Sequence, residues 1–281
     1  PGKGWVQRPY PLPHTVYDRS LLTRKIRAVQ RRFERMGTPL FNSLMGSKWW
    51  QYRVLAKNSR TAAYLPETRK IRSAADLAYM LNRHGSVYVK AAHGGKGMGI
   101  WQISQVGHGR YLVRRTDRRC RVSSLTTSDL GAVAQVILRS RRQPYIVQAR
   151  LWLMRWQGRI FDIRVLVQKD GTGQWQVTGA GRRVGRKGSI VSNLYGGGQT
   201  APLEPVLNQL LQQRSPESVR EECYRLALTI ATLMDEACRN VGELGIDLAL
   251  DRSERLWFLE ANSRTGRNVF RHLGLPQLAH W

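Results

Sequence analysis

Hydrophobic residues recur every three or four positions in several stretches of the chain, which is the spacing of one face of an α-helix. In the first stretch, 21–36, the apolar side carries Leu22, Ile26, Val29 and Phe33, and arginines occupy the other side. The same spacing predicts four further helices, at 48–56, 74–83, 128–138 and 216–240.

Alternating or continuous apolar runs lie between these helices and predict strands. A short strand is expected at 39–42 and another at 86–90, and short strands dominate 99–121. After residue 144 the runs are longer, and the turn Lys-Asp-Gly-Thr-Gly between two of them predicts a β-hairpin. Helices and mainly antiparallel strands together predict an α+β protein, in which 74–138 is enough for a small lobe of its own.

The last two predicted strands bring two carboxylates together. They flank a four-residue turn, 252–255. If they pair as antiparallel strands, Asp247 lies opposite Glu260, and strand alternation places Asn262 on the same face as Glu260. Like charges across a ladder repel, so a cation is expected between them, and oxygen ligands favour Mg²⁺. A different register with both acids facing solvent fits the same apolar neighbours.

A glycine-rich run follows the strand at 86–90. The strand ends with Lys90, and the glycines after it are Gly94, Gly95, Gly97 and Gly99. Without side chains, such residues let backbone N–H groups approach phosphate oxygens. The run matches neither the P-loop nor the Rossmann glycine pattern. Taken alone, it fits a flexible hairpin tip equally well.

The strand sequence FDIRVLV carries two charges among apolar residues. Asp162 and Arg164 are two residues apart, so both lie on one face. An arginine held beside an acid forms a structural salt bridge, or its guanidinium is aimed at a phosphate or a developing oxyanion. Arg182 and Arg183, on the hairpin's second strand, add positive charge nearby. The glycine-rich loop 193–198 is a candidate for closing over a substrate.

The charge distribution indicates a polyanionic partner. The net charge is +27, yet residues 201–281 carry nine basic and eleven acidic residues, so the whole excess lies in the first 200. Such a field favours an acidic peptide, an anionic polymer, nucleic acid or a membrane surface. Arginines on ordinary solvated faces are the alternative explanation.

Length and composition suit a globular enzyme, since 281 residues with 42% hydrophobic content can bury a full core. No apolar run is long enough to span a membrane, and the first twenty residues lack a signal peptide, so we expect a cytoplasmic protein. Cys120, Cys223 and Cys238 are far apart and without zinc-ligand spacing. We expect neither a disulfide framework nor a structural zinc ion.

Together these motifs resemble the ATP-grasp superfamily, and within it the YheC/YheD-like group named for endospore coat-associated proteins. The likeness covers nearly the whole chain and is carried by LPHTVYDR, PLFN, LPET, YVKAAHGGKGMGI, YIVQ, FDIRVLVQ, SNLYGGG and GIDLALDRSERLWFLEANSRTGR. It implies an ATP-grasp fold, with two α+β lobes that clasp ATP and a shortened N-terminal lobe. The implied division is an N-terminal segment at 1–58, a lid subdomain at 59–147 and a catalytic core at 148–281.

The resemblance also implies roles for residues that would bind Mg-ATP. The spacing of Asp247, Glu260 and Asn262 is similar to that of the superfamily's Mg²⁺ ligands. Residues expected at the phosphates are Lys48, Lys90, Gly94, Gly95, Gly97 and Gly99. Residues expected at the adenine hinge are Gln148, Ala149 and Leu151.

The implied activity is that of an ATP-dependent carboxylate–amine ligase. It would join an acid, here acidic or polyanionic, to an amine through an acyl phosphate and release ADP and phosphate. Arg164 matches the family arginine near the acyl phosphate, and Arg182 and Arg183 would assist it. Two alternatives remain: a non-catalytic ATP-binding protein of a spore-coat or nucleic-acid assembly, and a kinase forming a stable phosphate ester.

The sequence departs from the family pattern in two places. Hinges of the superfamily often provide an acid for the ribose hydroxyls, but 148–159 contains no carboxylate. The turn after Asn262 has Thr265 where relatives commonly have proline. The missing acid leaves ribose recognition unassigned, and the threonine is expected only to loosen the loop.

Overall fold

The computed structural model describes residues 8–20, 24–42, 45–95, 97–107, 109–139, 144–192, 199–238 and 240–266. Its architecture is α+β, as the sequence predicts. The structure contains two six-stranded sheets and a small two-stranded one. Two earlier expectations, the apolar contact of Leu22 and the loop 193–198, lie outside the described residues.

The N-terminal segment forms two short parallel strands connected by a basic helix. Strand β1 (Val16–Tyr17) pairs with β2 (Leu40–Phe41), and α1 (Arg24–Arg35) connects them. Two helices follow, α2 (Lys48–Leu55) and α3 (Ser59–Ala62). The Ser47 side chain accepts a hydrogen bond from the backbone of Trp50, which satisfies a free N–H group at the start of α2.

The first six-stranded sheet has the order β3-β8-β4-β5-β6-β7, and its neighbours are antiparallel. Its strands are β3 (Thr68–Ile71), β4 (Ser86–Ala91), β5 (Trp101–Gln105), β6 (Tyr111–Thr116), β7 (Val122–Thr127) and β8 (Tyr145–Ala149). Helices α4 (Ala74–His84) and α5 (Leu130–Arg139) share a hydrophobic core with it. Val87 and Val89 point into this core, so strand alternation turns Tyr88 and Lys90 to the opposite face.

The second sheet has the order β12-β11-β10-β13-β14, with β9 beside β10. Its strands are β9 (Arg155–Trp156), β10 (Arg159–Lys169), β11 (Trp175–Val184), β12 (Gln199–Ala201), β13 (Glu243–Leu250) and β14 (Leu256–Asn262). The predicted hairpin is confirmed as β10 and β11. Helices α6 (Glu204–Leu210) and α7 (Pro216–Cys238) contribute to its core, where Cys223 is fully buried as a free thiol.

The predicted division at 58/59 and 147/148 stays a prediction. The second of these boundaries falls inside β8. No helix in the described part of the chain is both long and apolar enough to cross a membrane.

Candidate functional site

Strands β13 and β14 pair Asp247 with Glu260, as the sequence predicts. The predicted four-residue turn, however, is wrong. The Asp251 amide donates to the Arg255 carbonyl at 3.0 Å, which closes a three-residue loop, and Glu254 adopts a left-handed backbone with φ 59°. The register then shifts by one residue between Asp247 and Leu248. This bulge compensates for the shorter loop, so the pairing at Asp247 is nevertheless the predicted one.

The same bulge decides which way Glu260 faces. Phe258 packs in the core with 5% exposure, and unbroken alternation would turn Glu260 into that core as well. The extra residue, Leu259, reverses the alternation, so Glu260 lies on the opposite face with Asn262. The Asn262 side-chain amide donates to Glu260 Oε1 at 3.2 Å.

Two buried arginines, one on β10 and one on β11, bind Asp247 on β13. Arg164 on β10 donates from Nε to Asp247 Oδ1 at 2.5 Å, and Arg183 Nη2 lies 2.7 Å from Asp247 Oδ2. Arg183 also donates to both oxygens of Asp162, at 2.6 and 2.7 Å. Ser192 donates its hydroxyl to Asp162. The result is a buried network of two acids, Asp162 and Asp247, and two arginines, Arg164 and Arg183.

Two lysines, Lys48 and Lys90, add positive charge on the side of Glu260 and Gln148. Lys48 Nζ lies 2.9 Å from Glu260 Oε2 and donates to the Gly94 carbonyl at 2.5 Å. Lys90 Nζ donates to Gln148 Oε1 at 2.8 Å, and Gln148 donates in turn to Thr68. The predicted residues of α2, β4, β8 and β14 therefore converge on one place.

The lysines and acids shift one another's pKa. Burial lowers the pKa of Lys90, and the nearby Lys48 charge lowers it further, to about 8. Burial raises the pKa of Glu260, but the Lys48 charge and the hydrogen bonds from Lys48 and Asn262 outweigh it, so the pKa falls to about 2. Burial raises the pKa of Asp247, and Arg164 and Arg183 oppose this rise. Glu260 is thus ionised at neutral pH, and Lys90 loses its proton at a lower pH than an ordinary lysine.

A cleft of about 480 Å³ opens between the two sheets at this point. Twelve of the fifteen predicted site residues line it: Lys48, Lys90, Gly94, Gly95, Gly97, Gly99, Gln148, Ala149, Leu151, Arg183, Asp247 and Glu260. Three of these glycines have positive φ angles, 141° at Gly94, 71° at Gly97 and 63° at Gly99, a backbone that disfavours other residues. Arg164 contacts Asp247 and Asn262 contacts Glu260, and neither of them lines the cleft itself.

The structure does not bring Arg182 into this cluster. Neighbouring residues of a strand point to opposite faces, so Arg182 points away from the cleft that Arg183 lines. Its Nε donates to the Pro202 carbonyl at 3.1 Å, and its guanidinium lies 4.4 Å from the ring centre of Trp156. Its position indicates packing against the far side of β11.

Two participants were not assigned to the site from the sequence. Asp162 was noted only as a neighbour of Arg164, although the hairpin register opposite Arg183 identifies its partner. Thr265 was noted only as a departure from the family pattern, but its hydroxyl accepts from Arg164 Nη1 at 2.6 Å. No sequence signal links those two residues, which are 101 positions apart.

The donor chemistry of Asp247, Glu260 and Asn262 fits a hard divalent cation, because it consists of two carboxylates and an amide on paired strands. Within the described ranges, no three His, Cys, Asp or Glu side chains gather closely enough to hold a metal by themselves. The set therefore suits an ion that keeps waters or ligand phosphates in its shell, as Mg²⁺ does.

Comparison with known proteins shows the family of the chain. A family model described as YheC/D-like ATP-grasp matches residues 37–280. The endospore coat-associated protein YheD of Bacillus subtilis (strain 168) is 30% identical over 286 residues, covering 99% of this chain and 61% of YheD. YheC of the same organism is 22% identical, covering 94% of this chain and 73% of YheC. The chain thus spans about three fifths of the length of YheD.

Solved structures show the same fold. The ATP-grasp ligase PsnB, complexed with a minimal precursor, superposes with a TM-score of 0.52 at 18% identity, covering 95% of this chain and 77% of PsnB. A PsnB complex containing Mg and ADP gives a TM-score of 0.52 as well, covering 95% of this chain and 76% of PsnB. At this identity the likeness concerns the fold alone.

Proposed function

Since the chain belongs to the YheC/D-like ATP-grasp family, we propose that it is an ATP-dependent carboxylate–amine ligase. ATP would phosphorylate a carboxylate, an amine would attack the acyl phosphate, and ADP and phosphate would leave. The observation that carries the proposal is the meeting of Lys48, Lys90, the glycine loop and the Asp247–Glu260 pair in one cleft.

The phosphate end of the site would be formed by Lys48, Lys90 and the loop from Gly94 to Gly99. Lys48 already holds this loop through the Gly94 carbonyl, so it can neutralise a phosphate without a large movement. Backbone N–H groups of the loop would donate to phosphate oxygens, an approach that the absence of side chains permits. A bound phosphate would also favour the protonated form of Lys90.

The residues Asp247, Glu260 and Asn262 would hold Mg²⁺, which supplies charge neutralisation for phosphoryl transfer. The described residues then have separate tasks. Arg183 lines the cleft and would contact the acyl phosphate or the oxyanion of the tetrahedral intermediate. Arg164 lies behind Asp247 and would position that carboxylate. Arg182 has no part in this proposal.

The ligation would proceed in two steps. A substrate carboxylate oxygen attacks the γ-phosphorus, and the bond to the bridging oxygen breaks, so ADP leaves with the electron pair. The amine nitrogen then attacks the acyl carbon and the carbon–oxygen bond to phosphate breaks. The amine loses one proton and phosphate leaves. Catalysis of this kind depends on positioning and on electrostatic stabilisation.

The substrate is proposed to be acidic or polyanionic, and the charge distribution supports this. The first 200 residues carry the whole positive excess of the chain. The same excess favours the second candidate, a non-catalytic ATP-binding protein of a spore-coat or nucleic-acid assembly. YheD and YheC are named for association with the endospore coat, which is consistent with either role.

The experiment that tests the ligase proposal measures ADP release from Mg-ATP in the presence of acidic peptides, polyglutamate and candidate amines. Ligation is expected to yield a product with the summed mass of acid and amine less one water. A stable mass gain of one phosphate would identify a kinase instead. Lys90→Met should abolish turnover, whereas the matched variant at the exposed Lys57, Lys57→Met, should retain it. ATP binding without turnover across the panel would favour the non-catalytic candidate.

A further inference from the structure

The cleft is strongly basic at the end beside the hinge, Ala149 to Leu151. Arg150, Arg155 and Arg252 line this end. Arg114, on β6 of the first sheet, is close enough for its charge to lower the pKa of Arg150. We call these four residues, Arg114, Arg150, Arg155 and Arg252, the arginine rim. The rim contains residues from both sheets and from the β13–β14 turn, which the fold brings together.

The rim is held in place by contacts that leave its charge uncompensated. Trp152 is 54% exposed, and the Arg150 and Arg252 guanidiniums lie 4.0 and 5.8 Å from its ring centre. Arg155 donates to the Gly158 carbonyl at 2.8 Å, and Arg114 donates to the Gly188 carbonyl at 2.8 Å. These partners are an indole ring and backbone carbonyls, which orient a guanidinium without neutralising it.

No carboxylate in the described part of the chain lies within ion-pair distance of a rim guanidinium. Burial lowers the pKa of Arg150, and the charges of the other three rim arginines lower it further, against the opposing effect of Tyr88. Like charges gathered without a counter-charge repel one another, and an anion relieves the repulsion.

The rim lies where the hinge meets the β13–β14 turn. Backbone contacts join the hinge to the β13–β14 turn, since Leu153 bridges Asp251 and the Arg252 amide donates to the Trp152 carbonyl at 2.9 Å. The turn begins four residues after Asp247 along β13, or about 13 Å at the rise of a strand. Asp247 and Arg252 line the same cleft, so a nucleotide with its terminal phosphate at Asp247 would extend toward the rim.

We propose that the arginine rim binds a phosphate group carried on the ribose of a nucleotide. The cleft would then take nucleotides with a phosphate ester on the 2′- or 3′-hydroxyl, as a substrate or as a competing effector. A carboxylate in this place would accept hydrogen bonds from ribose hydroxyls and repel a phosphate, whereas arginines attract it, as in the two classes of dinucleotide site. The inference rests on the proposed function, which sets the direction of the nucleotide in the cleft.

The test compares the affinities of four probes by isothermal titration calorimetry. The probes are AMP, ADP, adenosine 2′,5′-bisphosphate and adenosine 3′,5′-bisphosphate. At least one bisphosphate is expected to bind about tenfold or more tightly than AMP, the effect of one charge-assisted contact of roughly 1.4 kcal/mol. ADP controls for added charge, because its second phosphate is not on the ribose. Arg155→Gln and Arg252→Gln should remove the higher affinity for the bisphosphates. Arg72→Gln, at an exposed site between β3 and α4, should preserve it.

The outcomes separate this inference from the proposed function. Equal affinities for AMP and both bisphosphates, with Mg-ATP still bound, would overturn the rim inference alone. Loss of binding to every nucleotide, Mg-ATP included, would overturn the proposed function as well. If the Arg155→Gln and Arg252→Gln variants lose affinity for polyglutamate while their bisphosphate affinity is unchanged, the rim binds an acidic substrate and the inference is wrong.

Discussion

Arg164 and Thr265 are joined by a buried hydrogen bond in which Arg164 Nη1 donates to the threonine hydroxyl at 2.6 Å. Gly245 lies beneath this contact, and a Cβ atom there would overlap the Thr265 hydroxyl and lie 2.6 Å from Arg164 Nη1. Arg164 also binds Asp247, so the loop after β14 helps to fix a candidate metal ligand through an arginine. The threonine that departs from the family's usual proline thus has a defined structural role.

Replacement of Thr265 by valine should destabilise the fold. The valine keeps the shape of threonine but leaves a buried donor of Arg164 without its partner, at a cost of about 1–3 kcal/mol. Denaturant unfolding measures the difference. Thr265→Ser keeps the acceptor and should lose clearly less. A valine variant at least as stable as the serine variant would contradict the role assigned to the hydroxyl.

Gly245→Ala should be destabilising as well, because the added methyl group has no room between Thr265 and Arg164. Overpacking of this kind costs about 1–3 kcal/mol. Gly171→Ala is the matched control, since a Cβ atom there meets nothing within 4 Å. Equal free energies of unfolding for the two variants would show that the space around Gly245 adjusts freely.

Much of the fold was predictable because its patterns are local. The helix at α7 and the β10–β11 hairpin follow from apolar spacing and an Asp-Gly turn, and both are present. The pairing of Asp247 with Glu260 is also confirmed, because the shorter turn and the bulge next to Asp247 shift the register in opposite directions and cancel. A bulge cannot be read from alternation alone, since it becomes necessary only when Phe258 occupies the core and Glu260 must leave it.

The parts of the site that could not be predicted depend on contacts between distant segments. Thr265 meets Arg164 only because β10 and β13 are neighbours in the sheet. Arg182 and Arg183 are adjacent residues of the same type. Only the face that β11 turns toward the cleft decides that Arg183, and not Arg182, lines it. Strand alternation and the family resemblance predict the candidate ligands Asp247, Glu260 and Asn262, while the structure adds the contacts that each of them makes.

Nucleotide binding should take up a proton near pH 8, because Lys90 has a pKa of about 8 in the free protein. Phosphate favours the charged lysine, so the uptake is roughly half a proton at pH 8 and small near pH 6. Titration calorimetry in two buffers of different ionisation enthalpy measures it. Lys90→Arg stays charged and should show none of this uptake. The same uptake in both proteins would place the titrating group elsewhere.

The lowered pKa of Lys90 also has a consequence for stability. Between about pH 8 and the ordinary lysine pKa of 10.5, the unfolded chain binds more protons than the folded one. The contribution of Lys90 to the free energy of unfolding therefore becomes more favourable as pH rises through this window. Comparison with Lys90→Met isolates it: the stability difference between the two proteins should shift in favour of the parent chain as pH rises from 8 to 10. A constant difference would contradict the shifted pKa.

Asp162→Asn should weaken the buried network by removing the charge that faces Arg183. Loss of one partner from a buried ion pair costs roughly 3 kcal/mol or more, since the remaining charge is left uncompensated. Glu236→Gln is the control, because Glu236 is exposed on α7 and its substitution should leave stability nearly unchanged. Equal unfolding midpoints for the two variants would show that Asp162 contributes no buried charge pairing.

We propose that Asp247 and Glu260 form the metal end of a nucleotide site, and Glu260→Gln tests this assignment. The substitution keeps the shape of the side chain and removes the charge. We expect calorimetry to show Mg-ATP affinity reduced by about tenfold or more, while metal-free ATP binds as well as before or better because Lys48 is released. Glu236→Gln, on the exposed side of α7, should bind Mg-ATP like the parent chain. Unchanged Mg-ATP affinity in Glu260→Gln would contradict the account.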